Sequence, residues 1–297
     1  MAAYLVTGGC GFIGSHLVDA LMAAGHSVRI LDDLSTGKRE NVPDVEDIVI
    51  GDVSDAGVVA GAMTGMDGCF HLAAIASVQR SNEEWALTHR VNLTGTVNVL
   101  DAARQAKAGG PVPVVYASSA AVYGDNPAVP LVEDAQKRPL TAYGADKLGC
   151  EQHARVAGQV HDVPTTGFRF FNIYGPRQDP GSPYSGVISI FADRLSAGRT
   201  ATVHGDGGQM RDFVYVGDCV RFVMAGMEKA TTAAEVYNVC TGRPSSLRDL
   251  AVEFGPPRIG DIRDSFGDAS KTTAAFGMTV DTSLRDGLAK TLRSLGG

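Results

Sequence analysis

The chain has 297 residues, 44% of them hydrophobic but only 7% aromatic, with 36 glycines and a formal net charge of −7 at pH 7. That length buries a sizeable core in one large domain or two small ones, while the acidic balance argues against nucleic-acid binding and requires locally placed Arg or Lys for any anionic ligand. No apolar run approaches the ~20 residues of a membrane span, and a predicted strand beginning at Ala3 leaves no room for a signal peptide. Five scattered cysteines (Cys10, Cys69, Cys150, Cys219, Cys240) form no C-x-x-C and no metal-ligand spacing. Reduced thiols, a cytoplasmic location and no metal are the expectation.

A short apolar run, Ala3–Val6, leads into Thr7-Gly8-Gly9-Cys10-Gly11-Phe12-Ile13-Gly14, which opens a helical pattern over Phe12–Ala24. Gly8, Gly11 and Gly14 fit G-x-x-G-x-x-G, and Gly9, Gly11 and Gly14 also fit G-x-G-x-x-G. A tight turn needs φ values that glycine reaches cheaply, and a pyrophosphate needs bare backbone beside the N–H groups of a helix N-terminus. The third glycine is expected to let the helix pack against the strand. Gly8, Gly11, Phe12, Ile13 and Gly14 are thus candidate cofactor contacts. The next apolar run, Ser27–Leu31, ends in Asp32-Asp33, about the ~20-residue offset of a ribose-binding acid. Asp32 can accept from ribose hydroxyls and would repel a 2′-phosphate, which argues for NAD over NADP.

Predicted strands are Tyr4–Thr7, Val28–Leu31, Asp47–Ile50, Cys69–Ala73, Val112–Ser118 and Thr165–Phe170. Predicted helices between them are Phe12–Ala24, Ala56–Thr64, Glu83–Ala106 and Tyr143–Val160. This alternation predicts a parallel sheet with helices on both faces, with ligands at the carboxyl ends of the strands. Asp52-Val53 stands at one such end, where Asp52 either bonds an adenine amino group or caps the following helix. Leu72-Ala73-Ala74 ends another and lets backbone lie against a cofactor; the preceding His71 reads as a core histidine rather than a base. Asn92, inside the long helix, is a cofactor-contact candidate that can instead bridge backbone groups.

The fifth strand ends in hydroxyls, Ser118-Ser119, and Tyr143 and Lys147 open a helix downstream. Four apart, they share a face, and a cationic Lys beside a phenol favours the phenolate. A strand-end serine completes a proton-transfer set suited to oxidising an alcohol; taken alone, Tyr-x-x-x-Lys is equally an ordinary surface pair. After Phe170 the pattern changes. Asn172–Gln178 is a Gly/Pro turn, Gln178–Gly186 is composed like a substrate loop, and Val187–Ala197 reads as a helix. Arg211–Val216 reads as a strand, Asp218 starts a helix, Glu235–Val239 is a strand, Ser246–Phe254 gives barely two helical turns, and Ser283–Leu295 is a terminal helix.

In this order, Thr7–Gly14, Asp32-Asp33, Gly51–Val53, His71–Ala74, Ser118–Gly124, Tyr143–Lys147, Asn172–Arg177, Arg211–Asp218 and Arg258–Asp261 resemble the extended short-chain dehydrogenase/reductases. Within them the sequence is most similar to nucleotide-sugar epimerases of the UDP-glucose/UDP-N-acetylglucosamine 4-epimerase type, over essentially the whole chain. The resemblance implies an α/β, Rossmann-type doubly wound parallel sheet with a smaller, trimmed C-terminal α/β substrate domain. Residues 1–171 plus 213–240 would hold NAD, and residues 172–212 plus 241–297 the nucleotide sugar. It implies that Tyr143 is the base at the sugar 4-OH, that Lys147 holds the nicotinamide ribose and tunes Tyr143, and that Ser119 takes the catalytic Ser/Thr position. Asn172 and Val187 would contact the UDP-sugar, Arg211 and Arg258 would clamp its diphosphate, and Ser265 would stand at the gate beside the sugar C2 substituent, small enough to admit an N-acetyl group. The family's 4,6-dehydratases follow the catalytic Thr with Asp-Glu, and its nucleotide-glucuronate decarboxylases follow the catalytic residue with Glu; here Ala120 and Ala121 follow. The implied activity is C4 epimerisation of a UDP-hexose through a 4-keto sugar, in a homodimer joined by the helices at Glu83–Ala106 and Tyr143–Val160. The alternatives are the same oxidation on a UDP-uronate, UDP-pentose, GDP- or dTDP-sugar, and a nucleotide-binding regulatory protein without turnover.

Overall fold

The computed structural model describes residues 1–179, 188, 189, 191, 194, 202–204, 206–246, 253–255 and 262–295. Its elements run β1 (Ala3–Thr7), α1 (Phe12–Ala23), β2 (Ser27–Asp32), β3 (Ile48–Ile50), α2 (Ala56–Met63), β4 (Gly68–His71), α3 (Val78–Glu83), α4 (Trp85–His89), α5 (Gly95–Arg104), β5 (Val114–Ser119), α6 (Ala142–His161) and β6 (Thr165–Phe170). They continue as β7 (Asn172–Tyr174), β8 (Thr202–His204), β9 (Met210–Arg211), β10 (Phe213–Tyr215), α7 (Val216–Lys229), β11 (Glu235–Val239), β12 (Ser245–Ser246), β13 (Glu253–Gly255), β14 (Asp264–Ser265), α8 (Ser270–Phe276) and α9 (Leu284–Leu295).

Seven strands form one sheet in the order β11-β6-β5-β4-β1-β2-β3, and every neighbouring pair is parallel. A parallel sheet is covered on both faces. One apolar layer includes Leu17, Leu21, Val220 and Phe222 from α1 and α7; the other includes Val59, Met63, Val99 and Leu100 from α2 and α5. The chain winds from β1 to β2 and β3, then returns to β4 on the other side of β1. That reversal opens a crevice at the carboxyl ends. At the β1 turn, a Cβ on Gly14 would overlap the Gly8 carbonyl and crowd Gly9. The third glycine therefore lets the helix fold back over the turn itself, rather than onto the strand.

Three expected elements differ. The helix expected over Glu83–Ala106 begins earlier, because Ser77 Oγ accepts from Arg80 N and starts α3. It then breaks at Glu84 and passes through a π-helical turn at Arg90–Thr94. Asn92 sits in that turn, its carbonyl drawn by the Thr96 hydroxyl at 2.6 Å. The strand expected over Arg211–Val216 divides at Asp212, whose buried carboxylate takes N–H bonds from Thr241 and Gly242. β9 pairs with β12 and β14, whereas β10 pairs with β7, so strand pairing crosses the boundary expected at residue 212. Of the helix expected over Ser246–Phe254, residues 253–255 are a strand paired with β8, and 247–252 lie outside the described residues. Among the described residues, no helix is long and apolar enough to cross a membrane, and no cluster of potential metal ligands occurs.

A buried polar chain fixes the β4 end. The Thr96 hydroxyl gives its proton to the Asn92 carbonyl, so its oxygen accepts from His71 Nε2 at 3.1 Å. His71 Nδ1 then accepts from Thr7 Oγ1 at 2.7 Å, and Thr7 Oγ1 takes the Ala73 N–H at 3.3 Å. His71 is thus a core histidine with both ring nitrogens engaged. Burial, and then the charge of Lys147, push its pKa down to about 3. An unfolded histidine protonates near pH ~6.5, so below that pH the unfolded chain binds more protons and stability falls as pH drops. This residue alone should cost about 2 kcal/mol by pH 5. Urea unfolding at pH 7.5 and pH 5 tests this: His71→Gln should lose less stability over the interval than the wild type, and equal losses would refute the neutral buried imidazole.

Candidate active site

A cleft of about 460 Å³ opens at the carboxyl ends of β1, β2, β4 and β5. At one end it is lined by Gly8, Gly11, Phe12, Ile13 and Gly14, and no side chain caps α1. The first-turn N–H groups of a helix need partners, and an anion is a natural one. Asp32 and Asp33 line the same end. Asp32 is buried, with its oxygens accepting from Cys10 N and Leu34 N at 2.9 Å each. A carboxylate has about four acceptor positions, which leaves room for ribose hydroxyls. Burial, partly offset by those N–H bonds, raises the Asp32 pKa. Asp33 accepts from Ser35 N at 2.9 Å.

Asp52 and Val53 line the cleft beyond the end of β3 at Ile50. Asp52 is not the cap of the next helix: its Oδ1 accepts from Ser54 N, and Asp55 caps α2 through Gly57 N and Val58 N. Leu72, Ala73 and Ala74 form the adjoining wall. Asn92 lies behind that wall, bracing Ile75 with its Oδ1 on Ile75 N (2.8 Å) and its Nδ2 on Ile75 O (3.2 Å). It therefore bridges backbone, and only Ile75 of that pair lines the cleft. These residues fit an extended dinucleotide: an uncapped helix N-terminus for the pyrophosphate, an acid for a ribose, and small residues in between.

Ser119, Tyr143 and Lys147 line the other end. Ser119 Oγ accepts from Ala121 N at 3.1 Å, so its hydrogen is available to an outside acceptor. The α6 N-terminus is set by Thr141 Oγ1, which accepts from Gly144 N, and by Ser81 Oγ, which accepts from Tyr143 N at 3.2 Å. Lys147 is buried; its Nζ donates to the Ala117 carbonyl at 2.9 Å and lies 5.9 Å from the Tyr143 ring centre.

The expected substrate residues are only partly described. Asn172 is exposed at the start of β7, its N–H on the Asp212 carbonyl. Arg211 Nη1 donates to the Met210 and Arg263 carbonyls. Ser265 is the register partner of Arg211 in the β14–β9 pair. Neither Asn172, Arg211 nor Ser265 lines the cleft, and Val187 and Arg258 lie outside the described residues. The cleft also takes in residues that the sequence reading passed over. Ser35, Thr36 and Gly37 close the Asp32 end, where a Cβ on Gly37 would meet Asp32 Oδ1 at 2.9 Å; Arg80 lines another part, as does Gln178, the first residue of the stretch read as a substrate loop. Gly37, just after an acidic strand end, was the one available signal.

Comparison with known proteins fits this geometry. Residues 4–240 match the family model described as the NAD dependent epimerase/dehydratase family. A UDP-glucose 4-epimerase of Mycolicibacterium smegmatis is 39% identical, over 97% of this chain and 96% of that one. The structure of Thermus thermophilus UDP-glucose 4-epimerase in complex with NAD superposes with a TM-score of 0.90 at 36% identity, covering 99% of both chains. A UDP-N-acetylglucosamine 4-epimerase from Methanobrevibacter ruminantium, solved with UDP-N-acetylmuramic acid, gives 0.91 at 32% identity, covering 99% of this chain and 98% of that one. The chain belongs to the NAD dependent epimerase/dehydratase family and is an NAD-using isomerase of the epimerase type.

Proposed function

We propose that the chain inverts C4 of a UDP-hexose, interconverting the glucose and galactose forms and their N-acetylated counterparts through a transient 4-keto sugar. One observation carries the reading: a single cleft holds the glycine turn and Asp32 at one end and Ser119, Tyr143 and Lys147 at the other. NAD, when bound, would supply the hydride acceptor and donor, and inversion requires the 4-keto sugar to turn in the site so that C4 is reduced from its opposite face. Tyr143 takes the proton of the 4-hydroxyl as C4 is oxidised and gives it back as the ketone is reduced. Ser119, its oxygen already occupied by Ala121 N–H, donates to the sugar oxygen. Lys147 places its ammonium 5.9 Å from the Tyr143 ring centre and would hold the nicotinamide ribose.

On the cofactor side, Gly8, Gly11, Phe12, Ile13 and Gly14 face the pyrophosphate, Asp32 and Asp33 the adenosine ribose, and Asp52 and Val53 the adenine. Leu72, Ala73 and Ala74 form the floor, with Asn92 acting through Ile75. Residues 172–212 and 241–297 supply the nucleotide-sugar contacts: Asn172, Val187, and the diphosphate clamp Arg211 and Arg258, whose fixed charges answer a dianion on an acidic protein. Ala120 and Ala121 offer neither acid nor base for elimination or decarboxylation, which favours return of hydride to the same carbon. A homodimer through α6 and the helices from Trp85 onward is part of the reading, supported by the exposed Trp85, Val156 and Val160.

Incubation with UDP-glucose, UDP-galactose, UDP-GlcNAc and UDP-GalNAc, assayed for C4 epimers, should show turnover. No turnover, with no reduction of bound nicotinamide, would point to a binding protein; reduction only with another sugar nucleotide would relocate the substrate. Tyr143→Phe should retain NAD and lose at least ~10²-fold in rate, and a near-wild-type rate removes Tyr143 from the mechanism. Ser265→Tyr should abolish N-acetyl turnover and spare UDP-galactose. Equal loss on both substrates would sink the gate.

A further inference from the structure

β5 loses one of its two neighbours where the chemistry is placed. β4 runs beside Val114–Tyr116 and stops there. Ala117, Ser118 and Ser119 pair only with β6, opposite Phe168, Arg169 and Phe170, and the same three residues line the cleft. Two ties from α6 hold this end. Lys147 Nζ donates to the Ala117 carbonyl at 2.9 Å, and Ser118 Oγ donates to Glu151 Oε1 at 2.6 Å. Lys147 and Glu151 are four apart on one face of α6, and they grip consecutive residues of the strand.

Glu151 is itself clamped. Arg169 Nε reaches Oε1 at 2.8 Å and its Nη2 reaches Oε2 at 2.7 Å, a two-pronged pair with side chains only 4% and 6% exposed. In the sheet, Arg169 stands between Ser118 of β5 and Asn238 of β11. Its Nη1 donates to the Tyr123 hydroxyl at 2.7 Å and to the Glu133 carbonyl at 2.8 Å, and Tyr123 donates to Asn238 Oδ1 at 2.7 Å. A buried ion pair adds little stability over an apolar replacement. What this one does is impose a single geometry on three strand ends, the α6 helix and the short turn after Ser119. Glu151, Arg169, Tyr123 and Asn238 do not line the cleft.

We propose that Ser118, Glu151 and Arg169 are positioning residues that hold Ser119 in register with Tyr143 and Lys147. The proposal rests on the reading of Ser119 as the hydroxyl that meets the sugar. Alignment at a reacting centre is steep, because a displacement of about 1 Å can cost ~10²-fold in rate.

Ser118→Ala removes the tie and leaves the Glu151–Arg169 pair in place. In the NAD-loaded protein it should lower kcat for C4 epimerisation by ~10-fold to ~10²-fold, with KM for the sugar nucleotide held within ~2-fold. Without any sugar, the Ala121 amide, bonded to Ser119 Oγ, should exchange its hydrogen at least ~10-fold faster. Ser118→Thr keeps the hydroxyl and should restore both readouts. A variant with a lowered Tm but wild-type kcat and wild-type Ala121 exchange overturns the proposal. Should Ser118→Ala not fold, the near-isosteric Ser118→Cys, a weak donor, decides by the same two measurements. A wild-type protein inactive on every sugar nucleotide counts against the proposed function alone, and amide exchange then supports or overturns the tie.

Discussion

The bond from Lys147 to the Ala117 carbonyl is the interaction on which the rest of the site depends. A buried ammonium must have acceptors, and the place for Lys147 is made by the sheet. Because β4 ends opposite Tyr116, the last three residues of β5 have no strand on that side. Helix α6 then brings a cation to the vacated edge. The same three residues line the cleft that the reversal of strand order opens, so the cation stands at its wall. Tyr143 follows, since it stands one helical turn before Lys147, and its own N–H is fixed by Ser81.

The cofactor end has a different physical basis. There the glycine turn lines the cleft with backbone, and backbone can approach a ligand only where side chains are missing or turned away. Gly14 lets α1 fold over the Gly8 carbonyl, and Gly37 passes against the Asp32 carboxylate. A further set of polar side chains works behind the wall. Thr7, His71, Thr96 and Asn92 form one directed chain of hydrogen bonds that fixes Ala73 and Ile75 from the rear. An acidic protein presents its anionic ligand with N–H groups rather than with a general positive field.

What the sequence made legible was local. The strand Thr165–Phe170 and the strand Glu235–Val239 coincide with the predicted ranges, and Tyr143 and Lys147 fall on one helix face because four-residue spacing dictates it. What it hid depends on contacts far along the chain. The long helix after β4 passes through a π-helical turn where Asn92 turns its amide to Ile75 and Thr96 draws its carbonyl, and no propensity encodes that pair. Asp212 interrupts an apparently continuous strand because Thr241 and Gly242, about thirty residues away, claim its carboxylate. Ser118 looked like a neighbour of the important serine. Its role became visible only when the register set it beside Arg169 and one turn of α6 brought Glu151 over both.

These contacts also separate chemistry from substrate choice. The proposed catalytic groups stand on the large parallel sheet and its helix α6, a frame with register specified on both faces. Of the proposed diphosphate and gate residues, Arg211 and Ser265 stand on very short strands, opposite each other in a two-residue pairing. Short pairings admit sequence change with little effect on the sheet behind them. The two frames meet at the segment Leu131–Glu133. Leu131 exchanges backbone hydrogen bonds with Phe266 and Asp268, next to the gate, while the Glu133 carbonyl accepts from Arg169 and its carboxylate accepts from Asn238 N. The glycine turn, on the far side of β4, shares none of these bonds. Substrate range can then vary in such a fold without disturbing how the dinucleotide is held.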